Sequence, residues 1–353
     1  MDNAVKLIGI ADRNIGANQP CFVIAEAGVN HNGDINIAHR LIDVAAESGA
    51  EAVKFQTFAA GRLVTSTAPK AEYQLQSTDV AESQYAMLKR LELSEQMHRE
   101  LIAHCNEKKI TFLSTPFDEE SADLLDALNV PAFKIPSGEI ANTLFLNHVA
   151  RKTKPMIVST GMASLGEVES AMRAITATGN TQIVLLHCVS NYPAEPADIN
   201  LRAMQTMAQA FGVPVGFSDH TLGIEIALAA AALGAVVIEK HFTLDRSLPG
   251  PDHQASLEPY ELKAMVRGIR SITSALGDGR KQPAPSEANT TAVVRKSVIA
   301  RRTIPRGVTL SENDLVILRP GTGLPPMMLP YLLGRTTRVE IAQGTLITLE
   351  MLA

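Results

Sequence analysis

The sequence predicts an α/β protein, a (β/α)8 TIM barrel followed by a small C-terminal module. Short apolar, β-branched runs alternate with amphipathic stretches about eight times over residues 1–276, and strict alternation indicates parallel strands joined by crossover helices. No G-x-G-x-x-G follows the first strand-like run, which favours a closed barrel over an open dinucleotide-binding sheet. Residues 277–290 are rich in small and turn-forming residues and predict a linker. Residues 291–353 then form the second module.

The strand-like runs are short enough to be buried on both faces of a parallel sheet. They occupy residues 21–25, 52–55, 110–113, 132–135, 155–158, 182–186, 213–217 and 235–238. The amphipathic stretches that predict helices occupy residues 35–48, 119–128, 165–177, 201–211, 224–233 and 259–276. Asp34 and Ser164 precede two of these stretches and are N-cap candidates.

Two segments depart from this repeat. The connection at residues 59–93 is long and contains a polar run at residues 68–74, so we expect it to form a lid or to contact substrate. Residues 291–353 contain short β-type runs and many turns, at a length that is small for an independent core. We therefore expect this module to lean on another surface.

Composition and charge exclude several functions. The 32 basic and 37 acidic residues give a net charge of -5, which predicts no general attraction for nucleic acid or an anionic membrane. No apolar run reaches the roughly 20 residues of a membrane span, and the first residues lack the order of a signal peptide. A cytoplasmic protein is the expectation. Cys21, Cys105 and Cys188 have no metal-type spacing and are interpreted as buried thiols.

Reactive side chains cluster where the predicted strands end. A barrel enzyme builds its site from residues at the carboxyl ends of its strands. Nearly every strand-like run here ends in such a group: Glu26, Lys54 and Gln56, Ser114 and Thr115, Lys134 with Ser137 and Glu139, Ser159, His187 and Tyr192, Ser218 with Asp219 and His220, and Glu239 with Lys240 and His241. We expect these residues to converge on one catalytic pocket.

The residue types indicate an anion site beside a metal site. Lys54 and Lys134 lie within apolar strands and are costly to bury without an anionic partner, so they predict a phosphate or carboxylate ligand. A structural salt bridge is the alternative. His220 and His241 follow adjacent strands and suit a divalent metal with open positions for substrate or water; two structural histidines are the alternative. The histidines on helix-like stretches are interpreted as packing or surface residues: His39, His98, His104 and His148.

Nine segments together resemble the sialic acid synthase family over nearly the whole chain. They are AEAGVNHNGD, VKFQTF, FLSTPFD, FKIPSGE, IVSTGMA, LLHCVSNYP, GFSDHT, IEKHFTLD and PGPDH. The resemblance implies a TIM barrel followed by an antifreeze-like SAF domain of the β-clip type, and RKSVIARRTIPRGVTLSENDLVILRPGTG is similar to that domain. The fold that it implies agrees with the fold that the repeat predicts.

The resemblance also implies a role for each matching residue. Phosphoenolpyruvate would be bound by Lys54, Thr115, Lys134, Ser137, Ser159 and Ser218. The catalytic residues would be Glu26, Lys54, Lys134, Glu139 and Glu239. The amino sugar would be bound by Gln56, Glu139, Tyr192, Asp252 and Arg319. His220 and His241 would hold a divalent metal, Mn²⁺ first, with Mg²⁺ or Co²⁺ as alternatives.

The activity implied is that of a carbon–carbon bond-forming transferase. Phosphoenolpyruvate, an N-acetylmannosamine-type amino sugar and water would give a nine-carbon 2-keto sugar acid, N-acetylneuraminate or legionaminate, and phosphate. The metal would polarise the sugar aldehyde, and Glu26 would accept a proton from the attacking water. Arg319 would reach the N-acyl group from a partner subunit, which makes a domain-swapped homodimer the expected assembly.

The sequence leaves the sugar substrate and the class of function open. The Ser190–Asn191 pair and the run Gly321, Thr322, Gly323 depart from the usual family pattern at positions expected near the sugar. Residues 68–74 and the Phe-Gln-Thr-Phe run favour the sialic and legionaminic branches over pseudaminic acid synthesis. A barrel synthase of a seven- or eight-carbon sugar acid, a metal-dependent aldolase or hydrolase, and a non-catalytic carbohydrate-binding protein are also compatible with a barrel of this kind.

Overall fold

The computed structural model describes residues 7–71, 75, 78 and 82–353. Their contacts separate two compact units, Met1–Gly277 and Asp278–Ala353. The polar run predicted at residues 68–74 extends into residues 72–74, which lie outside the described residues. No helix among the residues described is long and apolar enough to cross a membrane.

The first unit is a parallel barrel preceded by an antiparallel hairpin of β1 (Ile8–Ile10) and β2 (Arg13–Ile15). The barrel strands are β3 (Phe22–Gly28), β4 (Ala52–Thr57), β5 (Thr111–Pro116), β6 (Phe133–Ile135), β7 (Met156–Ser159), β8 (Ile183–Cys188), β9 (Val215–Asp219) and β10 (Val237–His241). Their order in the sheet is β5-β4-β3-β10-β9-β8-β7-β6, and β5 and β6 contact each other to close it. The predicted fold class and all eight predicted strands are confirmed.

Helices connect the strands as crossovers. They are α1 (Ile35–Glu47), α2 (Ala60–Leu63), α3 (Gln84–Arg90), α4 (Glu95–Lys108), α5 (Glu119–Ala127), α6 (Thr143–Ala150), α7 (Leu165–Ala177), α8 (Ala203–Phe211), α9 (Glu225–Ala232) and α10 (Pro259–Leu276). Both predicted N-caps form: Asp34 accepts a hydrogen bond from the Asn36 amide, and Ser164 forms a capping box with Glu167. The six predicted helices are present, and α4 and α6 supply further crossovers.

Strand alternation divides the barrel core into two apolar clusters. Side chains on one face, such as Val23 and Phe55, pack against the helices. Side chains on the other face fill the barrel interior near the amino ends of the strands. They pack with the hairpin in one cluster: Ile8, Ile10, Ile15, Phe22, Ile24, Ala52, Leu113, Ala132, Ile157, Val184, Leu186 and Val237. The hairpin therefore seals the amino end of the barrel.

The second unit has a small core of its own. It contains α11 (Ala288–Val294), the antiparallel pair β11 (Ser297–Ala300) and β12 (Leu315–Leu318), and α12 (Leu329–Leu332). Part of the predicted linker, residues 277–290, is helical: a 3₁₀ turn at Pro285–Glu287 leads into α11. The core residues are Val298, Ala300, Ile304, Leu310, Leu315, Leu332, Ile341, Ile347 and Leu352. All three cysteines, in the first unit, are buried and unpaired, as predicted.

Candidate active site

A cavity of about 410 Å³ opens at the carboxyl ends of the barrel strands. Its volume is in the range of small-molecule sites, and its position is the one at which barrel enzymes place their chemistry. The predicted site residues that line it are Glu26, Lys54, Gln56, Thr115, Lys134, Ser137, Ser159, Tyr192, Ser218, His220, Glu239, His241 and Asp252. The predicted convergence at this end of the barrel is therefore observed.

Strand parity explains why these side chains point inward. Along β3, Phe22 and Ile24 belong to the interior cluster and Glu26 follows two residues later. Along β4, Lys54 and Gln56 follow the interior residue Ala52 in the same way. Because successive side chains in a strand point to opposite faces, the interior changes from apolar to polar as each strand approaches its carboxyl end.

Lys54 is the centre of a buried ionic network. Its Nζ lies 2.7 Å from Glu26 Oε2 and 3.6 Å from Glu239 Oε2, and it donates a hydrogen bond to Thr115 Oγ1 at 2.8 Å. Burial alone would lower the pKa of Lys54, but the two carboxylates outweigh it and raise that pKa. Lys54 is therefore a charged ammonium group, and the salt bridge considered from the sequence is present.

Lys134 is a second buried ammonium group with weaker pairing. Its Nζ lies 3.5 Å from Glu239 Oε1 and donates to its neighbouring carbonyl, Ile135 O, at 3.2 Å. Burial lowers the pKa of Lys134, and Glu239 only partly offsets this. This ion pair is longer than an ordinary hydrogen bond, so Lys134 keeps donor capacity that an anionic ligand could use.

The two carboxylates of this network have pKa values that are far apart. Burial raises the pKa of Glu26 to about 7, with Lys54 opposing the shift. Burial acts in the same direction on Glu239, but Lys134, Lys54 and the Ser218 hydroxyl, which donates to Oε1 at 3.0 Å, lower that pKa to about 2. Two nearby carboxyl groups with separated pKa values suit different roles: Glu239 is a fixed anion, and Glu26 exchanges a proton near neutral pH.

His220 and His241 form one side of the cavity, with ring centroids 5.5 Å apart. His220 Nδ1 donates to the Val189 carbonyl at 2.6 Å, which leaves its Nε2 as the nitrogen with a lone pair. Burial lowers the pKa of His220 to about 4 and that of His241 well below its usual value. Both rings are therefore neutral, as metal ligation requires.

These residues fit a divalent cation. The Nδ1 atom of His241 is buried without a hydrogen-bond partner among the described residues, and the nearest acid, Asp252 Oδ2, lies 3.9 Å away. Within the part of the chain that the structure describes, no three His, Cys, Asp or Glu residues are grouped as a complete metal site. The two imidazoles would thus leave positions open for substrate and water, which is the arrangement of catalytic metal sites.

A buried ion pair fixes the strands that carry the histidines. Lys240 Nζ donates to Asp219 Oδ2 at 2.7 Å and to the Thr221 carbonyl at 2.6 Å. Asp219 and Lys240 each directly precede one of the histidines, and parity turns them away from the cavity. This pair joins β9 to β10 behind the site, so these two residues have a supporting position.

Hydroxyl and amide donors form another side of the cavity. The Gly161 amide donates to Ser137 Oγ at 3.0 Å, and the Ser159 hydroxyl is buried with no partner among the described residues. A Cβ on Gly161 would lie 2.2 Å from Ser190 Oγ and 2.8 Å from Ser137 Oγ, so only glycine lets the backbone approach this closely. The partnerless hydroxyl of Ser159 can donate to an oxyanion.

Tyr192 and Asp252 lie at the histidine side of the cavity. The Tyr192 ring packs on His220, with centroids 4.1 Å apart, and meets His241 edge-on at 5.4 Å. Burial raises the pKa of Asp252 to about 6. The Asp252 carbonyl accepts from Ser256 Oγ at 2.6 Å, and that hydroxyl accepts in turn from Asn30 Nδ2 at 2.9 Å. The buried Asn30 amide therefore holds the loop that carries Asp252.

Several predicted residues lie elsewhere: besides Asp219 and Lys240, Ser114 does not line the cavity and hydrogen-bonds with Thr57 at 2.7 Å. Glu139 is half-buried on the 3₁₀ turn Ser137–Glu139, accepts from Asn142 Nδ2 at 2.7 Å, and does not line the cavity. Arg319 is exposed in the second unit. His187 faces away from the barrel interior and its Nε2 donates to the Ile199 carbonyl at 2.6 Å. The roles expected for Glu139 and Arg319 stay predictions.

Further residues line the cavity besides the predicted ligands. Ser190 lines it, as expected from its position near the sugar, and so does Cys188, which the sequence analysis interpreted only as a buried thiol; Cys188 Sγ lies 3.1 Å from Ser137 Oγ. The alternation of side chains along β8 would have predicted Cys188, because it lies two residues after the interior residue Leu186. Apolar side chains from the connection between β4 and α4 also reach the cavity: Leu63, Val64, Met87, Leu88 and Leu91. No strand-based signal predicts these, because they belong to short helices and a loop.

The fold is that of a barrel enzyme, and its cavity holds two buried ammonium groups, Lys54 and Lys134. A model of the NeuB family matches residues 41–281, and one of the SAF domain matches residues 295–353. The N,N'-diacetyllegionaminic acid synthase of Legionella pneumophila is 49% identical to the chain, over 98% of each protein. The synthase of that name from Campylobacter jejuni is 50% identical, over 92% of this chain and 98% of the relative.

A solved structure agrees with these relatives. The N-acetylneuraminic acid (sialic acid) synthetase of Leptospira borgpetersenii superposes with a TM-score of 0.72 at 37% identity, covering 81% of this chain and 95% of that one. The chain therefore belongs to the NeuB family and carries a C-terminal SAF domain. The resemblance inferred from the nine sequence segments is confirmed.

Proposed function

We propose that the protein is a transferase that condenses phosphoenolpyruvate with an N-acetylmannosamine-type amino sugar and water. The products are a nine-carbon 2-keto sugar acid of the N-acetylneuraminate or legionaminate type and phosphate. The observation that carries the proposal is the pair of buried ammonium groups, Lys54 and Lys134, beside two neutral histidines in one cavity. The identity to sialic-acid-type synthases supports it.

Charge complementarity supports phosphoenolpyruvate as the first ligand. Because the pKa of Glu26 is about 7, Glu26 is only partly ionised at neutral pH, and it and Glu239 do not fully balance the charge of the two lysines. The substrate's carboxylate and phosphate groups would take up the remaining ammonium donors together with the Thr115, Ser137, Ser159 and Ser218 hydroxyls. Ion pairs in such a dry site are much stronger than in water.

His220 and His241 would hold the divalent metal, which we propose to be Mn²⁺. The metal would supply Lewis acidity toward the aldehyde oxygen of the open-chain sugar. Tyr192 packs against His220, and the Val189 carbonyl fixes that ring's tautomer. Gln56 and Asp252 line the cavity and would bind sugar hydroxyls.

The carboxylates account for the proton and charge movements. A bond forms between C3 of phosphoenolpyruvate and the aldehyde carbon, the C=O electron pair moves to the aldehyde oxygen, which takes up a proton and becomes a hydroxyl, and positive charge is left at C2. Glu239, ionised at neutral pH, would stabilise that charge. Water then adds to C2 and gives its proton to Glu26, whose pKa of about 7 suits a general base. Cleavage of the C2–O bond releases phosphate, and loss of the hydroxyl proton leaves the ketone.

We further propose a domain-swapped homodimer in which Arg319 of the partner subunit binds the sugar's N-acyl group. Arg319 is exposed and so available to a partner. Mixing Lys134→Ala subunits with Arg319→Ala subunits tests this directly. Exchange of subunits should restore activity to one site per mixed dimer, since that site has an intact Lys134 and receives an intact arginine. Failure to recover activity in dimers shown to be mixed would contradict action across the dimer.

A cytoplasmic location completes the proposal, and three buried unpaired thiols are compatible with a reducing compartment. The test of the function is phosphate release from phosphoenolpyruvate with Mn²⁺ and an N-acyl amino sugar. We expect release only with both substrates, abolished by EDTA and restored by excess Mn²⁺. Release without a sugar, or none with any N-acyl amino sugar, would contradict the proposed function.

A further inference from the structure

Three polar side chains lie in the otherwise apolar layer between the barrel strands and α4. Thr57 at the end of β4, Ser114 on β5 and His98 on α4 have exposed fractions of only 3%, 0% and 0%. Their neighbours are aromatic: Phe112 meets the His98 ring edge-on, and Phe55 stacks on Phe112. Polar groups in such a place lower the stability of the fold unless they are hydrogen-bonded to one another.

The three side chains form one hydrogen-bonded chain with a fixed direction. His98 Nδ1 lies 2.8 Å from the Ser94 carbonyl, which can only accept, so Nδ1 carries the proton. Burial lowers the pKa of His98 and keeps the ring neutral, so Nε2 accepts from the Thr57 hydroxyl at 2.7 Å. Thr57 Oγ1 in turn accepts from Ser114 Oγ at 2.7 Å. Because each group has a defined partner, the chain holds its side chains in one arrangement.

This chain lies on the opposite face of the same two strands from two cavity residues. Gln56 directly precedes Thr57, Thr115 directly follows Ser114, and Gln56 and Thr115 are paired in register between β4 and β5. Since side chains alternate along a strand, Thr57 and Ser114 face α4 while Gln56 and Thr115 line the cavity. Thr115 Oγ1 also accepts from Lys54 Nζ at 2.8 Å. The position of the lysine is therefore linked to the chain through the ends of both strands.

The chain also joins the two ends of the long connection at residues 59–93. Thr57 is the last residue of β4, and Ser94 is the N-cap of α4, where its side chain accepts from the Met97 amide. The bond between Thr57 and His98 therefore closes the connection at its base, next to the cavity-lining residue Leu91.

We infer that Thr57, Ser114 and His98 are positioning residues, whose hydrogen-bonded chain holds Gln56 and Thr115 in the orientation that binding and catalysis require. None of the three lines the cavity, so they act through their neighbours and not on the substrates. The inference rests on the proposed function and extends its machinery to the layer outside the barrel. Displacing a positioned group by about 1 Å lowers a rate by as much as about 100-fold. Packing alone would affect stability without this kinetic effect.

The test variant is Thr57→Val, which keeps the shape of the side chain and removes its hydroxyl. With the amino sugar and Mn²⁺ saturating, we expect kcat/KM for phosphoenolpyruvate to fall at least about tenfold, because Thr115 loses its fixed position. The affinity for Mn²⁺ should stay at the wild-type value, since β9 and β10 carry the two histidines. Thr57→Ser keeps the hydroxyl and should restore most of kcat/KM.

The matched control is Thr337→Val in the second unit. Thr337 is 2% exposed, and its hydroxyl donates to the Pro305 carbonyl at 2.7 Å. This variant removes a buried hydroxyl of the same kind, so it should lower the midpoint of thermal unfolding and leave kcat/KM unchanged.

A second variant, Ser114→Ala, breaks the chain at its other end and leaves the bond between Thr57 and His98 in place. It should also lower kcat/KM for phosphoenolpyruvate. Combined with Thr57→Val it should add little further loss, because substitutions within one hydrogen-bond network are not additive. Ser114→Ala alone decides the test if Thr57→Val does not fold.

The outcomes separate the inference from the function on which it rests. Wild-type kcat/KM in the folded variants, or a loss that extends to Mn²⁺ affinity and is not rescued by Thr57→Ser, would overturn the positioning role and leave the proposed reaction standing. Absence of phosphate release by the wild-type protein with any N-acyl amino sugar would remove both. A loss confined to kcat/KM, rescued by serine and absent from the control, supports the inference.

Discussion

The two ends of the barrel are built by the same eight strands and differ completely in chemistry. At the amino end, interior positions hold Phe22, Ile24, Ile157 and similar residues, closed by the hairpin. At the carboxyl end, interior positions one step further along hold Glu26, Lys54 and Lys134. The strands therefore separate stability from function along the barrel axis.

This difference predicts whether a substitution at either end lowers or raises the stability of the fold. Apolar burial at the amino end stabilises the fold at about 25 cal/mol per Å². Buried charges at the carboxyl end have lost their hydration, and replacing them with neutral groups is often neutral or stabilising when partners are removed together. Residues retained at a cost to stability are those that function requires. The following predictions test that separation.

The largest effect is expected from Lys134→Ala at the carboxyl end. Loss of this ammonium group should lower kcat for phosphate release by at least about 10³-fold, because preorganised charge of this kind accounts for a factor of that order. The midpoint of thermal unfolding should change little, because Glu239, whose Oε1 lies 3.5 Å from Lys134, keeps Lys54 as an ion-pair partner. The control is Lys108→Ala: Lys108 lies on α4 and pairs with Asp43 of α1, so this variant should keep full activity. Retained turnover in Lys134→Ala would remove the phosphate assignment.

His220→Ala should lower activity by about 10²-fold or more through loss of a metal ligand. Titration with Mn²⁺ should show that the variant needs much higher metal concentrations than the wild-type protein. His148→Ala serves as a comparison, because that histidine pairs with Asp123 outside the cavity. Wild-type metal affinity in His220→Ala would contradict the proposed metal site.

Ile10→Ala addresses the amino end. Removing a fully buried isoleucine should lower the free energy of unfolding by about 2–5 kcal/mol, while kcat measured per folded molecule stays at the wild-type value. Chemical denaturation gives the first quantity and a parallel assay at low temperature gives the second. A lower kcat without a loss of stability would break the proposed separation between the two ends.

The smallest expected effect is a loss of stability on removing Asp314, a buried carboxylate of the second unit. Asp314 accepts hydrogen bonds from the Ser311 amide and hydroxyl and pairs with Arg302. The Ser311 hydroxyl, then its amide and Arg302, hold the pKa of Asp314 below its usual value against the effect of burial. Asp314→Ala should cost about 1–2 kcal/mol at pH 7.

The sign of the pH dependence follows from that lowered pKa. The stabilising contribution of Asp314 is present above the carboxyl group's ordinary pKa of about 3.9 and is lost as the pH falls below it. The difference in unfolding free energy between Asp314→Ala and the wild-type protein should therefore shrink below about pH 4. A difference that grows on acidification would show that the carboxylate is not stabilised by these partners.

Regular elements of the barrel were predictable because their patterns are local. The eight strand-like runs are apolar and β-branched, and apolar residues recur with the period of a helix in the amphipathic stretches. The hairpin of β1 and β2 escaped prediction, since strands of three residues such as Ile8–Ile10 are too short for a period to show. Its function as a plug depends on contacts with distant strands, which no local pattern records.

Site residues were predictable within the strands, where side chains alternate between the two faces of the sheet, and were not predictable in the loops that follow. Glu26, Lys54 and Glu239 lie inside the ladder, where alternation fixes their direction. Glu139 follows β6 on a 3₁₀ turn, where alternation no longer applies, and it hydrogen-bonds to Asn142 instead. Leu63, Val64, Met87, Leu88 and Leu91 come from the connection between β4 and α4, so that only the three-dimensional structure places them on the cavity.

The most direct test of the proposed chemistry is to run the reaction with phosphoenolpyruvate, an N-acyl amino sugar that supports phosphate release and Mn²⁺ in ¹⁸O-labelled water. We expect water to attack C2, so that the released phosphate carries no label and appears in equal amount with a nine-carbon sugar acid. Labelled phosphate would show attack at phosphorus, and would contradict a carbon–carbon bond-forming synthase at the carboxyl end of this barrel.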